Sequence, residues 1–565
     1  MDPSSAIDIY PAGVAGLTDR GQGPLGYLNP DQRNGTTVNG KPSLTIDQAG
    51  TKLNGGEPGW NAVMGTGFTV SYAYRASAPS TYPSDVAGFT RFNSAQINQA
   101  ELALKGWSDV ANIHFVRVGS GTGGEAAYSD NASMLLGNYS SGAAGAAAFA
   151  FYPGNQNIAS NDGDLWVDIT KSYNESPTVG NYGGLVLVHE LGHTIGLGHP
   201  GAYDASATET LTYAVNAEYY EDSRQYTVMS YFAGASTGAS LPGYSATPLL
   251  DDIAAIQQIY GPNMTTRTGN TVYGFNSNAD RPWFVLVTNG SPAQFAVWDA
   301  GGNDTFDFSE YVSKQVIDLR PGYFSDIGGY SGNVAIAMGT NIENAIGGYG
   351  ADSITGNDLN NALNGRLGDD TIFGGAGDDS IYGSEGNSYL RGDAGNDILV
   401  GSLNFDDING NTGNDTCYGG DGADWVVGGK DNDLLYGENG DDIVYGNLGD
   451  DTCLGGQGAD TIRGGQGNDS LSGSSDNDWL SGDRGDDTLV GGSGADTFHS
   501  FGDAGIDRIL DFSRGEGDRI ALDVGTLYAL VQVGADTVIS MGGGGQIILV
   551  GVQAATLTGA WLSYV

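Results

Sequence analysis

The sequence predicts an α/β (α+β) domain, followed by an all-β parallel roll and a β-rich C-terminal cap. Three observations predict it. Helix-spaced and strand-alternating segments interleave up to about residue 262, a strict nine-residue period fills 347–499, and 500–565 alternates like short strands. With 565 residues the chain has room for several such units.

In chain order, residues 1–40 are rich in Gly, Pro, Asn and Asp and read as an irregular leader or pro-segment. Residues 41–262 read as the mixed domain. Asn93 is an N-cap for a helix carrying Ile97, Leu104 and Trp107 at helical spacing. Residues 112–118 alternate as a strand, and Ala148-Phe149-Ala150-Phe151-Tyr152 is a second, closed by Pro153-Gly154. Leu185 to Leu197 is an apolar helix, and Leu250 to Tyr260 places Ile253, Ile256 and Ile259 on one face. Residues 263–346 look β-like, with Gly/Asn/Asp turns.

Residues 347–499 divide without gaps into seventeen nonapeptides. Position 1 is Gly in every unit, position 8 is apolar in every unit, and position 6 is Asp in fifteen, the exceptions being Asn361 and Ser388. A turn-forming hexad followed by a strand-forming triplet, with position 8 inward, gives a coil of two units and a parallel β-roll. At ~4.8 Å per coil, eight to nine coils build a rod of roughly 40 Å. Stacked turns aim backbone carbonyls and the position-6 carboxylates at points between coils. An all-oxygen site of this kind suits Ca²⁺. Fourteen of the fifteen are taken as ligands: Asp352, Asp370, Asp379, Asp397, Asp415, Asp424, Asp433, Asp442, Asp451, Asp460, Asp469, Asp478, Asp487 and Asp496. The units hold 29 acidic against 5 basic residues, a net of −24, so without a divalent cation they repel one another. Cys417 and Cys453 fall at position 8 with Leu435 between them, ~9–10 Å apart by strand spacing, too far for a disulfide.

The net charge of −45 argues against nucleic acid and anionic membrane as partners and favours cations. No apolar stretch is long enough to insert across a bilayer. The sequence from Met1 to Asp8 lacks a basic n-region and an apolar h-region, so the expectation is a cytosolic protein or one exported without an N-terminal signal.

Three of the five histidines lie within eleven residues, in His189-Glu190-Leu191-Gly192-His193-Thr194-Ile195-Gly196-Leu197-Gly198-His199. His189 and His193 are i, i+4 on a helix and project from one face. A helix break at Gly196 returns His199 to the same metal. Three imidazoles leave a fourth position for water, as in a catalytic zinc site. Glu190 stands beside the first ligand as general base. Thirty residues on come Met229 and Tyr231, in Thr227-Val228-Met229-Ser230-Tyr231.

With Pro200 after the third histidine, residues 221–231, Asp251-Asp252-Ile253-Ala254-Ala255-Ile256-Gln257 and residues 298–308, the sequence resembles the serralysin family of secreted bacterial zinc metalloproteases, a branch of the metzincins. Its nonapeptides resemble the repeats-in-toxin calcium motif. The resemblance implies a metzincin catalytic domain and a calcium-binding β-roll. It implies that Tyr231 is a further zinc ligand that swings away to stabilise the reaction intermediate, and that Met229 forms a floor beneath the histidines. Ala148, Phe149, Ala150 and Phe151 would be the edge strand that pairs with substrate. Calcium outside the repeats would take the Asp299 and Asp304 side chains and the carbonyls of Arg267, Gly269, Thr271 and Gly301. Gly302, Asn341 and Glu343 would serve neighbouring sites. Within the repeats, carbonyls such as those of Gly348 and Gly350 would join the aspartates. The implied function is a secreted, calcium-stabilised, monomeric zinc endopeptidase of protein substrates, with type I export machinery and a proteinaceous inhibitor as partners. The competing reading is a calcium-dependent surface or scaffold protein in which the roll is the functional part.

Overall fold

The computed structural model describes residues 26–565 apart from 34, 84–85, 144–145, 155–159 and 204–210. The N-terminal half is built from α1 (Ile46–Asn54), β1 (Phe68–Tyr74), α2 (Ser94–Val110), β2 (Ile113–Arg117), β3 (Met134–Tyr139), β4 (Ala148–Ala150), β5 (Leu165–Asp168), α3 (Tyr182–Thr194) and α4 (Leu250–Tyr260). The strands form one sheet in the order β2-β1-β3-β5-β4, parallel throughout except for β4, which runs antiparallel to β5. The expected cap is present: the Asn93 side chain accepts from the Gln96 N–H while the Gln96 side chain accepts from the Asn93 N–H. The α2 face of Ile97, Ala100, Leu104 and Trp107 is buried, and Trp107 Nε1 donates to the Val188 carbonyl at 3.1 Å, tying α2 to α3.

Residues 1–25 of the expected leader lie outside the described residues. The stretch that follows differs from the expectation, because Leu28 and Arg33 are buried. The Arg33 guanidinium donates to both Asp251 carboxylate oxygens at 2.9 and 3.0 Å and to the Leu44 carbonyl. Tyr27 donates to Asp326 at 2.8 Å, and Leu28 N–H donates to the Tyr226 hydroxyl at 2.7 Å. Gly26–Arg33 is thus a strap across the domain.

The roll is two sheets, of fifteen and twelve strands, parallel except at one end of the larger, where Tyr528–Val533, Asp536–Met541 and Gln546–Leu549 pair antiparallel. Strands pair at a spacing of eighteen residues, as in Leu399↔Cys417↔Leu435↔Cys453. Both cysteines are buried and free. Position 8 forms an unbroken buried column from Ile354 to Phe498. Two features differ from the sequence reading. The strands are longer than triplets, as in Thr416–Asp421, and bury position 1 as well as position 8. Position 1 is Gly for want of space: a Cβ on Gly410 would lie 2.1 Å from Asp415 Oδ2. Positions 2 and 4 take positive φ: 76° at Asn411 and Glu438 of position 2, and 123° and 139° at Gly413 and Gly440 of position 4. The sheets also begin before the repeats, at Val272–Gly274 and Val316–Asp318, so the 263–346 segment supplies the first coils. At the other end, Phe512, Ile539 and Trp561 cover the column, as a cap must. The two halves share a core, since Ala296, Trp298, Phe324 and Ala335 pack in the same cluster as Met229 and Ile256.

Candidate active site

The site is built on α3, whose start fits closely under neighbouring backbone: a Cβ on Gly183 would lie 2.0 Å from the Tyr173 carbonyl oxygen. His189 and His193 project from one face, the helix ends at Thr194, and Gly196 at φ +114° turns the chain so that His199 comes back. His189 Nδ1 lies 2.9 Å from the Val228 carbonyl, and His193 Nδ1 lies 2.7 Å from the Leu197 carbonyl. A carbonyl only accepts, so both Nδ1 atoms carry the proton and both Nε2 atoms present lone pairs. Both Nε2 atoms stand 3.2 Å from His199 Nε2, which can donate to one of them at most. The three ligand atoms lie within 4.8 Å of one another. Three convergent imidazole nitrogens, those of His189 and His193 buried and that of His199 half-buried, fit a tetrahedral Zn²⁺ with an open position. Burial, helped by His199, pushes the His193 imidazole down to about 3 and that of His189 well below its ordinary value.

Glu190 is buried on the cleft wall beside them, and burial pushes its carboxyl up to about 8. Met229 lies under α3, where a Cβ on Gly192 would come within 2.6 Å of its sulfur. The Tyr231 ring packs on His199 at 4.6 Å and stacks on His189 at 5.6 Å. The cleft, about 540 Å³, is lined on its other side by Ala148, Phe149 and Ala150 of β4. Phe151 lies just beyond that strand and packs against Phe149 at 5.9 Å.

Sequence reasoning missed the residues that hold this frame. Asp252 on α4 accepts from Thr227 Oγ1 at 2.5 Å, Val228 N–H at 2.8 Å and Leu249 N–H at 2.9 Å, which fixes the carbonyl that orients His189. Asp222 accepts from the Tyr203 and Ser230 hydroxyls, both at 2.7 Å, and Tyr203 stacks on His199 at 5.7 Å. Local spacing does not show this role: Leu249 is the N-cap of Asp252's own helix, but Thr227 and Val228, like the Tyr203 partner of Asp222, come from other stretches of chain.

Residues 84–226 match the family described as Matrixin, and residues 262–533 match Peptidase M10 serralysin C terminal. The metallopeptidase AprA of Pseudomonas marginalis is 44% identical over 343 residues, which is 59% of this chain and 69% of that protein. The chain belongs to the serralysin family. Serralysin C of Dickeya chrysanthemi is 44% identical over 57% of this chain and 66% of its own, and the serralysin of Photorhabdus sp. (strain Az29) is 46% identical over 50% and 57%. The chain is therefore a serralysin-type zinc metalloendopeptidase on a metzincin-plus-β-roll fold, and the scaffold reading falls away.

In this serralysin the position-6 aspartates form a ladder. From Asp370 onward each Oδ1 accepts from the backbone N–H eighteen residues earlier, as Asp415 from Asp397 and Asp433 from Asp415, at 2.8 and 2.9 Å. From Asp370 to Asp496 the Oδ2 atoms of these aspartates are buried with no hydrogen-bond partner. Asp406 joins that row, and the period alone would have marked it. A file of orphaned carboxylate oxygens beside backbone carbonyls fits Ca²⁺. At Asn361 and Ser388 the backbone ladder continues, through bonds to Asp379 and Asp406, but the carboxylate is missing. Upstream, Asp304 accepts from Thr271 N–H and is close-packed with Gly302 and the Gly269 carbonyl, its N–H donates to Glu343, and its own Oδ2 is an orphan. Asp299 accepts from Gly301 N–H at 3.0 Å. The described contacts do not tie Asn341 or the Arg267 carbonyl to that group; Asn341 is exposed, and the Arg267 side chain turns to Asp109.

Proposed function

We propose that an extended polypeptide lies along the open edge of β4 and is cleaved beside Glu190. The observation that carries this is the convergence of three lone-pair-bearing imidazole nitrogens on one point of the cleft. His189, His193 and His199 would hold the zinc ion, with Tyr231 as a further ligand at rest. Bound there, zinc supplies a Lewis acid that polarises the scissile carbonyl and acidifies water. Glu190 takes the proton of the attacking water and passes it to the leaving amine. Tyr231, displaced by substrate, donates a hydrogen bond to the oxyanion of the tetrahedral intermediate. Met229 and Asp252 hold the histidine frame without touching substrate. Val228, fixed by Asp252, keeps His189 in the tautomer that leaves Nε2 free.

The division of labour we propose is a catalytic domain ending near residue 262, first coils over 263–346, repeats over 347–499 and a cap over 500–565. The repeat aspartates, and the group around Asp299 and Asp304, would bind calcium. A chain that folds on calcium suits work outside the cell, where calcium is abundant, on protein substrates. Among the described residues no helix is long and apolar enough to cross a membrane.

Casein hydrolysis by the wild type and by Glu190→Ala, each with and without a zinc chelator, tests the mechanism. The wild type should lose activity to the chelator and regain it with zinc. Glu190→Ala should be slower by about 10²–10⁴-fold, the range of a general base. Equal rates for the two proteins would sink it.

A further inference from the structure

A second cavity, about 640 Å³, opens beside the cleft and shares Leu185, Arg224 and Val228 with it. Its remaining walls are mostly apolar, with Leu241, Tyr244 and Leu249 prominent. Ser240 and Ser245 also line it, the Ser245 hydroxyl donating to the Thr247 carbonyl at 2.8 Å, and two larger polar side chains interrupt the walls. Arg224 is fixed, because Nη2 donates to the Tyr231 carbonyl at 2.7 Å and the guanidinium lies over the Tyr244 ring at 5.5 Å. Gln294 comes from the roll side, one residue before the strand Phe295–Val297. Its Oε1 is buried with no hydrogen-bond partner, so that end of the amide is uncommitted.

The direction of substrate follows from the cleft. β4 and α3 run the same way along it: Ala147, at the start of β4, accepts from Asn174 near the Tyr173–Tyr182 pair, whereas Tyr152, past its end, packs on His193 at 5.7 Å. Antiparallel pairing is the stronger mode at a sheet edge. A substrate so paired runs from the Tyr152 end to the Leu185 end. The cavity at Leu185 then receives the side chain just C-terminal to the scissile bond.

Building on the proteolytic reading above, we infer that this cavity selects tyrosine at that position and that Gln294 is the selecting residue. The apolar walls take the ring, and the phenol hydroxyl, which both donates and accepts, satisfies the Gln294 amide. Phenylalanine leaves that amide unpaired, and a site with an unpaired polar group discriminates strongly against the analogue lacking the hydroxyl. The Arg224 charge repels lysine and arginine side chains.

The test uses calcium- and zinc-loaded full-length protein and three peptides identical except for Tyr, Phe or Lys at the candidate position, with cut sites read by mass spectrometry. The expected kcat/KM order is Tyr, Phe, Lys, with Tyr over Phe by about tenfold or more. Gln294→Leu should bring the Tyr/Phe ratio to about one, and Gln294→Glu, which keeps an acceptor, should retain the preference. The inference is overturned by a wild-type ratio of one or below, by a ratio that Gln294→Leu does not change, or by cuts that leave tyrosine on the N-terminal side. Failure to cut any peptide or casein would overturn the proteolytic reading itself, whereas cutting without tyrosine preference overturns this inference alone.

Discussion

An alanine at position 192 sets two effects of opposite sign against each other. Replacing a helical glycine with alanine ordinarily stabilises by about 1 kcal/mol. Here the new Cβ would lie 2.6 Å from Met229 Sδ and 3.2 Å from the Trp107 ring, and overpacking of that kind costs about 1–3 kcal/mol. Gly192→Ala should therefore destabilise by about 1 kcal/mol net, read by urea unfolding in calcium. A variant more stable than the wild type would show that the methionine floor yields freely. The contrast between His189 and Asp252 shows what kind of residue a sequence reveals. The i, i+4 histidines and the Gly196 break are local geometry, so spacing displays them. Asp252 acts through Thr227, Val228 and Leu249, partners drawn from two stretches of chain, and only the fold brings them together. Asp252→Ala would leave a buried hydroxyl and two N–H groups unpaired, at about 1–3 kcal/mol for each group left without a partner. It should lower kcat as His189 loses its orientation, and an unchanged kcat would show that His189 is held without it.

The strap Gly26–Arg33 was illegible for a different reason. Its residues are Gly-, Pro- and Asn-rich with no period, and what binds it down is one arginine and a few backbone bonds. Arg33 and Asp251 are fully buried, with Glu221 3.8 Å from the guanidinium. Burial holds the Asp251 carboxyl up at about 7 even with Arg33 opposing it. Arg33→Ala would strand two buried carboxylates, and breaking a buried pair from one side costs about 3–5 kcal/mol. The double variant Arg33→Ala/Asp251→Ala should cost less than the sum of the single ones, because each single variant leaves an unpaired charge that the double removes. Additive losses would mean the strap is held by its other contacts. The repeats are the opposite case: a nine-residue period, a glycine and an aspartate at fixed positions made the roll readable to its register. The 263–346 coils carry the same strands without the period, and so were visible only as β-like.

The whole molecule carries its charge in a way that ties folding to pH and, on the calcium binding proposed above, to that ion. The repeats bring 29 acidic and 5 basic residues onto one rod, and from Asp370 to Asp496 stack the position-6 carboxylates with one oxygen each unpaired and buried. Burial is the first cause of the upward shift of these carboxyls, to about 8 at Asp370 and Asp433 and about 7 at Asp415, Asp424 and Asp460, with neighbouring aspartates adding to it. Their folded-state values therefore exceed the unfolded value near 4. A raised carboxyl binds its proton more tightly in the folded state, so its stabilising effect is full below pH ~4 and fades as the pH rises through ~7. With a calcium-selective chelator present, the full-length protein should melt at progressively lower temperature from pH 5 to pH 8. Saturating calcium should flatten that slope, because the ion holds the carboxylates ionised, with folded values below the unfolded ones, so that their titration falls below pH ~5. Calorimetry across this range, with and without calcium, gives both slopes. A chelated protein whose Tm climbs from pH 5 to pH 8 would show that the aspartate file is already satisfied without a cation, and calcium would then not be what folds the roll.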